Sequence, residues 1–135
     1  MIDIHWDPRY EVGHPRIDHE HQVFVELIRS VSFQSQQNTA PERMARLLME
    51  VKKYAELHFF SEENIMIDAL YPALELHRKE HQMLLFQLED RIHQVKNGVL
   101  KPSDVAEFMF HWFALHTTQE DKKRAEFLHH SGEQE

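Results

Sequence analysis

Apolar residues recur at three- and four-residue intervals through most of the chain, the period of a helix with one buried face, and polar breaks divide them into segments. The first segment covers about 18–36, with Ile17, Phe24, Leu27, Ile28 and Val31 on one stripe. Asn38-Thr39-Ala40-Pro41-Glu42 ends it; Thr39 and Glu42 have capping-box spacing, and Pro41 suits a first turn. The second segment covers about 40–67, its stripe being Met44, Leu47, Leu48, Val51, Tyr54 and Ala55. Beyond Tyr71-Pro72 a third covers about 73–96, with Leu76, Leu84, Leu88 and Ile92 inward, and Asn97-Gly98 stops it. Pro102-Ser103-Asp104 offers caps for a fourth, about 103–127, which runs through Phe108, Trp112 and Leu115. Helices of roughly 30 Å joined by short loops predict an all-α, antiparallel up-down-up-down four-helix bundle. Residues 1–17, with Trp6 and Val12-Gly13, read as an N-terminal arm packed along it, and 1–135 as a single domain.

Composition narrows the function. The chain has 135 residues, 41% of them hydrophobic, enough for one core. Cysteine is absent, which removes disulfides, thiolate metal sites, iron–sulfur clusters and cysteine nucleophiles together. That fits a reducing cytoplasm, the expected location. No apolar run reaches the ~18 residues of a membrane span, and MIDIHWDPRY lacks the pattern of a signal peptide. The formal net charge is −8, from 15 basic and 23 acidic residues, so nucleic acid is not an expected partner. Lys122-Lys123-Arg124 is too small a cluster to change that. GxGxxG, P-loop and GxSxG motifs do not occur.

The anomaly is histidine, with twelve residues. Five fall on apolar helix faces: His21 in the first helix, His58 in the second, His77 and His81 in the third, His116 in the fourth. Glu62 follows His58 by four residues, on the same face. One histidine on an apolar face is more often a hydrogen-bonded core residue than a ligand. Burying five, with a carboxylate, costs several kcal/mol each unless something pairs them, and a metal does so. Zinc in structural sites prefers thiolates and takes four ligands; magnesium and calcium want oxygen. A nitrogen-rich set with carboxylates suits iron, with manganese or copper as weaker fits, and uses all its donors only with two ions. The ferritin-like di-iron pattern needs Glu-x-x-His within the bundle; here Glu11…His14 and Glu126…His129 lie in the arm and the tail. Axial haem ligation would leave most of these imidazoles and Glu62 unexplained.

These residues resemble the hemerythrin and bacteriohemerythrin family along almost the whole chain. Val12-Gly13…Ile17-Asp18-His19-Glu20-His21 is similar to its VGxxxID-x-x-H, and His58-Phe59-Phe60-Ser61-Glu62-Glu63 to its HFxxEE. Tyr71-Pro72 with His77 and His81 resembles YP…HxxxH, and Trp112…His116…Asp121 resembles WxxxHxxxxD. The resemblance implies two non-haem iron ions: His77, His81 and His116 on one, His21 and His58 on the other, with Glu62, Asp121 and an oxo or hydroxo group bridging. One iron would then be filled and the other would keep a position open for molecular oxygen. Phe24, Phe59, Trp112 and Phe113 are the expected apolar wall of that oxygen pocket.

Helix geometry alone treats one position differently. Five residues turn a helix through about 500°, leaving Asp121 about 140° from His116, whereas Glu120 shares its face more easily. The family spacing selects Asp121. Thr117 stands where the family usually has an apolar residue, which implies a wetter pocket and faster oxidation, and His14 occupies a loop position more often aliphatic. His5, His19, His93, His111, His129 and His130 match no ligand position and read as surface or outer-layer residues. The expected function is reversible oxygen binding for storage, transport or delivery by a monomer or weak oligomer. The alternative is a module sensing oxygen, nitric oxide or redox state for a signalling partner protein. An enzyme is not expected, because the coordinating histidines lack a further acid–base residue for turnover.

Overall fold

The computed structural model describes residues 4–117. Four helices and a single 3-10 turn, Pro8–Tyr10, make up its regular structure, and there is no strand among the described residues. The helices are α1 (Pro15–Ser35), α2 (Pro41–Asp68), α3 (Leu74–Lys96) and α4 (Pro102–His116). α1 packs on α2 and α4, and α3 closes the bundle against the same two, as up-down-up-down topology requires.

Capping explains where the boundaries depart from expectation. α1 starts at Pro15, three residues early, so the arm ends at His14: proline needs no hydrogen-bonded N–H in a first turn, and His14 Nδ1 accepts from the Ile17 N–H at 3.4 Å. The capping box at Thr39 and Glu42 does not form. Ala40 is the N-cap, and the Thr39 hydroxyl instead donates to the Gln34 carbonyl at the end of α1, at 2.8 Å. Nor do Ser103 or Asp104 cap α4, whose N-cap, Lys101, makes no side-chain bond. Asn97-Gly98 does end α3: Gly98 adopts φ +75°, with Gly98 N–H to Val95 O and Val99 N–H to Gln94 O closing a Schellman motif. α2 ends in the same way, but its left-handed residue is Leu70, at φ +55°. The part of the fourth helix expected beyond Thr117 lies outside the described residues.

The inward stripes of α1 and α2 fall where the pattern placed them, with Leu27, Leu47 and Tyr54 at the margins. Leu76 is a correction, being 56% exposed: the inward position at the start of α3 belongs to its neighbour His77. In α4 the buried line is Val105, Met109, Phe113 and His116, while Phe108 and Trp112 are half-buried and Leu115 is exposed. Apolar residues run almost all round α4, so periodicity could not fix its phase.

The arm is tied down at two places. Asp18 accepts hydrogen bonds from the Val12 and Gly13 N–H groups at 2.8 and 3.2 Å, and Gly13 supplies the φ of +89° that the bend needs. Tyr10 is buried and edges onto Trp6, Phe110 and Phe113. In an antiparallel bundle the beginnings of α1 and α3 lie level with the ends of α2 and α4. His21, His58, Glu62, His77, His81 and His116 therefore share one end, and aliphatic residues such as Val31, Leu48, Ile92 and Val105 fill the other.

Candidate metal centre

Helical spacing delivers the donors. His77 and His81 are four apart on α3, His58 and Glu62 four apart on α2, and α1 and α4 contribute His21 and His116. All six are buried, and Glu62 is 1% exposed. They gather into two groups: His77, His81 and His116 in one, His21, His58 and Glu62 in the other, with the donor atoms of each group within 4.8 Å of one another. In the first, the ring centroids form a triangle with sides of 5.7, 6.1 and 6.3 Å. In the second, the rings of His21 and His58 meet edge to face at 4.6 Å. Asp121 and Glu120, the two candidates for a further carboxylate, lie outside the described residues.

The donor set suits a cation. His58 Nδ1 lies 2.7 Å from Glu20 Oε1, and its Nε2 lies 2.7 Å from Glu62 Oε1. A neutral imidazole has one N–H to give; with Glu20 on Nδ1, a cation shared by Nε2 and Glu62 would suit the second contact. Two donors on one ion at about 2.1 Å and roughly 90° apart are themselves about 3 Å apart, close to the Nε2–Oε1 separation. The imidazole-rich, thiolate-free groups fit iron.

A second layer of carboxylates went unread in the sequence. Glu20 on α1 holds His58 on α2; Glu63 on α2 reaches His81 Nδ1 on α3 at 3.3 Å. Glu80 on α3 lies 3.7 Å from His77 Nδ1 and 4.0 Å from His116 Nδ1 on α4. Each acid is the sequence neighbour of a donor on its own helix (Glu20-His21, Glu62-Glu63, Glu80-His81), and one residue turns it about 100°, towards the next helix. That adjacency is the only trace the pattern leaves in the sequence. Such acids fix the tautomer of a ligating imidazole and raise its basicity. Burial lifts the Glu20 carboxyl, but the hydrogen bond to His58, aided by Ser61 and Arg16, outweighs it and holds the group below the usual range. Burial pushes Glu63 above that range against the pull of Arg78, which lies 3.1 Å away. Tyr54 donates its hydroxyl to the Glu20 carbonyl at 3.2 Å, further fixing that acid's backbone.

A cavity of ≈ 10 Å³, the scale of one water-sized molecule, lies between the donors and the core. Phe24, Phe59, Trp112 and Phe113 line it together with His21, His58, Glu62, His116 and Thr117. His77 and His81 do not. Phe59 stacks on His81 at 3.9 Å and Trp112 on His116 at 4.4 Å, while Phe113 edges onto His21 at 5.2 Å. The aromatic wall thus also buttresses the imidazoles.

Comparison with known proteins gives a consistent picture. The family model described as Hemerythrin HHE cation binding domain matches residues 12–128. A bacteriohemerythrin of Clostridium acetobutylicum is 25% identical over 124 residues, covering 87% of this chain and 95% of its own. One from Pseudomonas paraeruginosa is 24% identical over 131 residues, covering 97% and 85%. Among solved structures, the crystal structure of a hemerythrin L114A mutant superposes with a TM-score of 0.84 at 20% identity, covering 95% of this chain and 98% of that one.

Proposed function

The chain belongs to the hemerythrin family, and we propose that it holds two non-haem iron ions, with a bridging oxo or hydroxo group, and binds molecular oxygen reversibly for storage, transport or delivery. His77, His81 and His116 would hold one ion and His21 and His58 the other, with Glu62 and Asp121 shared. The observation that carries this reading is the position of the cavity: it touches both histidines of the group that has two and only one histidine of the group that has three. The ion with fewer histidines would be the one beside the space.

When bound, the iron pair supplies two reducing equivalents and an open coordination position. The chain's own residues do the rest. Glu20 and Glu63 orient His58 and His81 through Nδ1, turning Nε2 inward. Phe24, Phe59, Trp112 and Phe113 exclude water from the cavity. Among the described residues, every titratable side chain lining it belongs to a donor group, which favours binding over catalysis. The family spacing, with an aspartate five residues after His116, supports Asp121 over Glu120 as the shared carboxylate.

Metal analysis with optical spectra tests the proposal. Two irons per chain are expected, with oxo-to-iron bands that vanish on reduction and return reversibly with air. Colourless, iron-free protein after expression in ample iron would refute it; rapid irreversible oxidation would favour the sensing role. Asp121→Ala should lose iron and Glu120→Ala retain it, and the reverse would move the bridge to Glu120.

A further inference from the structure

The solvent-facing side of α2 changes character halfway along. Its first half exposes Arg43, Arg46, Glu50 and Lys53, and its second half Leu57, Phe60 and Ile67. α3 shows the reverse order, exposing Leu76, Met83 and Phe86 first, then Asp90, His93 and Lys96. The two are antiparallel neighbours, so their apolar halves lie side by side, with Asn64, Lys79 and Gln82 among them. Glu63 pairs with both Arg78 and His81, which fixes the register. Counting out from that turn, Phe60 stands level with Met83, Leu57 with Phe86 and Ile67 with Leu76. The same count sets Lys53 level with Asp90. These six apolar side chains are 43–75% exposed. A scattered few are ordinary on any surface. Six on adjoining helices leave roughly 700 Å² uncovered, more than the roughly 300–600 Å² of a monomer's largest patch.

We propose that this face of α2 and α3 is an interface with a second copy of the chain, the two related by a two-fold axis parallel to the helices. Such an axis lays α2 of each copy along α3 of the other, antiparallel and at unchanged level. Phe60 of one copy then meets Met83 of the second copy, Leu57 meets Phe86, and Ile67 meets Leu76. Asn64 falls opposite Lys79, polar on polar. The charged halves match as well. Lys53, whose present partner Glu56 lies on its own helix, comes opposite Asp90 of the second copy, and the axis repeats every pair. A foreign partner gives no reason for apolar residues and opposite charges to fall level on these two helices; a second copy does. Paired, the face takes about 1,400 Å² out of solvent, within the roughly 1,200–2,000 Å² of specific interfaces. This pairing stands apart from oxygen binding and does not depend on it.

Sedimentation equilibrium of the full iron-loaded chain, across a dilution series, tests this. The wild type should move from 16.3 kDa towards twice that mass as concentration rises. Phe60→Glu and Phe86→Glu should each weaken pairing about 100-fold, since the axis buries every substituted charge twice. Phe33→Glu, similarly exposed but at the opposite end of the bundle, should pair like the wild type. Circular dichroism and melting of the dilute chains check that each variant folds; if Phe60→Glu does not, Phe86→Glu carries the comparison. The charged rim supplies a readout that only contact between copies can move. Lys53→Glu and Asp90→Lys should each weaken pairing a few-fold, and an equimolar mixture of the two should pair more tightly than either alone. A wild type that stays at 16.3 kDa throughout overturns the proposal and leaves the face for a different protein. A dimer that both phenylalanine substitutions leave intact overturns this face, and one that mixing does not strengthen overturns the two-fold register.

Discussion

His58 has an acid at each ring nitrogen, Glu20 outside and Glu62 inside, both at 2.7 Å. The outer acid commits Nδ1 as a donor, so that Nε2 is presented where the other donors converge. Glu20→Ala should therefore weaken metal binding by about 10- to 100-fold, measured as faster iron loss to a chelator. Glu20→Gln, which keeps an acceptor oxygen but not the charge, should fall between alanine and wild type. Equal retention in all three would mean that packing alone orients His58. The six inner donors were legible in the sequence because helical spacing puts each on its own apolar stripe. Glu20, Glu63 and Glu80 were not, because each acts on a different helix, and partnership across helices depends on bundle order and register rather than on local spacing.

At the scale of elements, strong punctuation was readable and weak punctuation was not. Gly98 announces the end of α3; Leu70, in the same left-handed position after α2, announces nothing. A side chain there costs about 1–2 kcal/mol, and Leu70 recovers little by burial, being 85% exposed. Leu70→Gly should raise stability by up to about 1 kcal/mol after allowing for glycine's greater freedom when unfolded, seen as a melting point a few degrees higher. A lower melting point would show that the leucine packs against something that outweighs its strain. Helix phase followed a similar rule. α1 and α2 have polar faces to contrast with their stripes, while α4, apolar nearly all round, needed the structure to show that Met109 points inward and Leu115 does not.

Across the whole molecule, the donors occupy one end of the bundle and a dry aliphatic core the other. Metal removal should loosen the two ends unequally. Hydrogen exchange should quicken around His21, His58 to Glu62, His77 to His81 and Phe113 to His116, while protection persists around Val31, Leu48, Ile92 and Val105. Uniform loss of protection would instead make metal uptake the folding event for the entire chain. The outer acids bear on assembly as well as chemistry. Glu20, Glu63 and Glu80 each pass from one helix to the next in the same rotational sense. Were α2 or α3 shifted along its axis by a single turn, it would lose its handhold on both neighbours together, even if its greasy face still found a groove to fill. Hydrocarbon tolerates such sliding; this chain of acids, from α1 through to α4, would not, and it would favour the aligned register even without an ion.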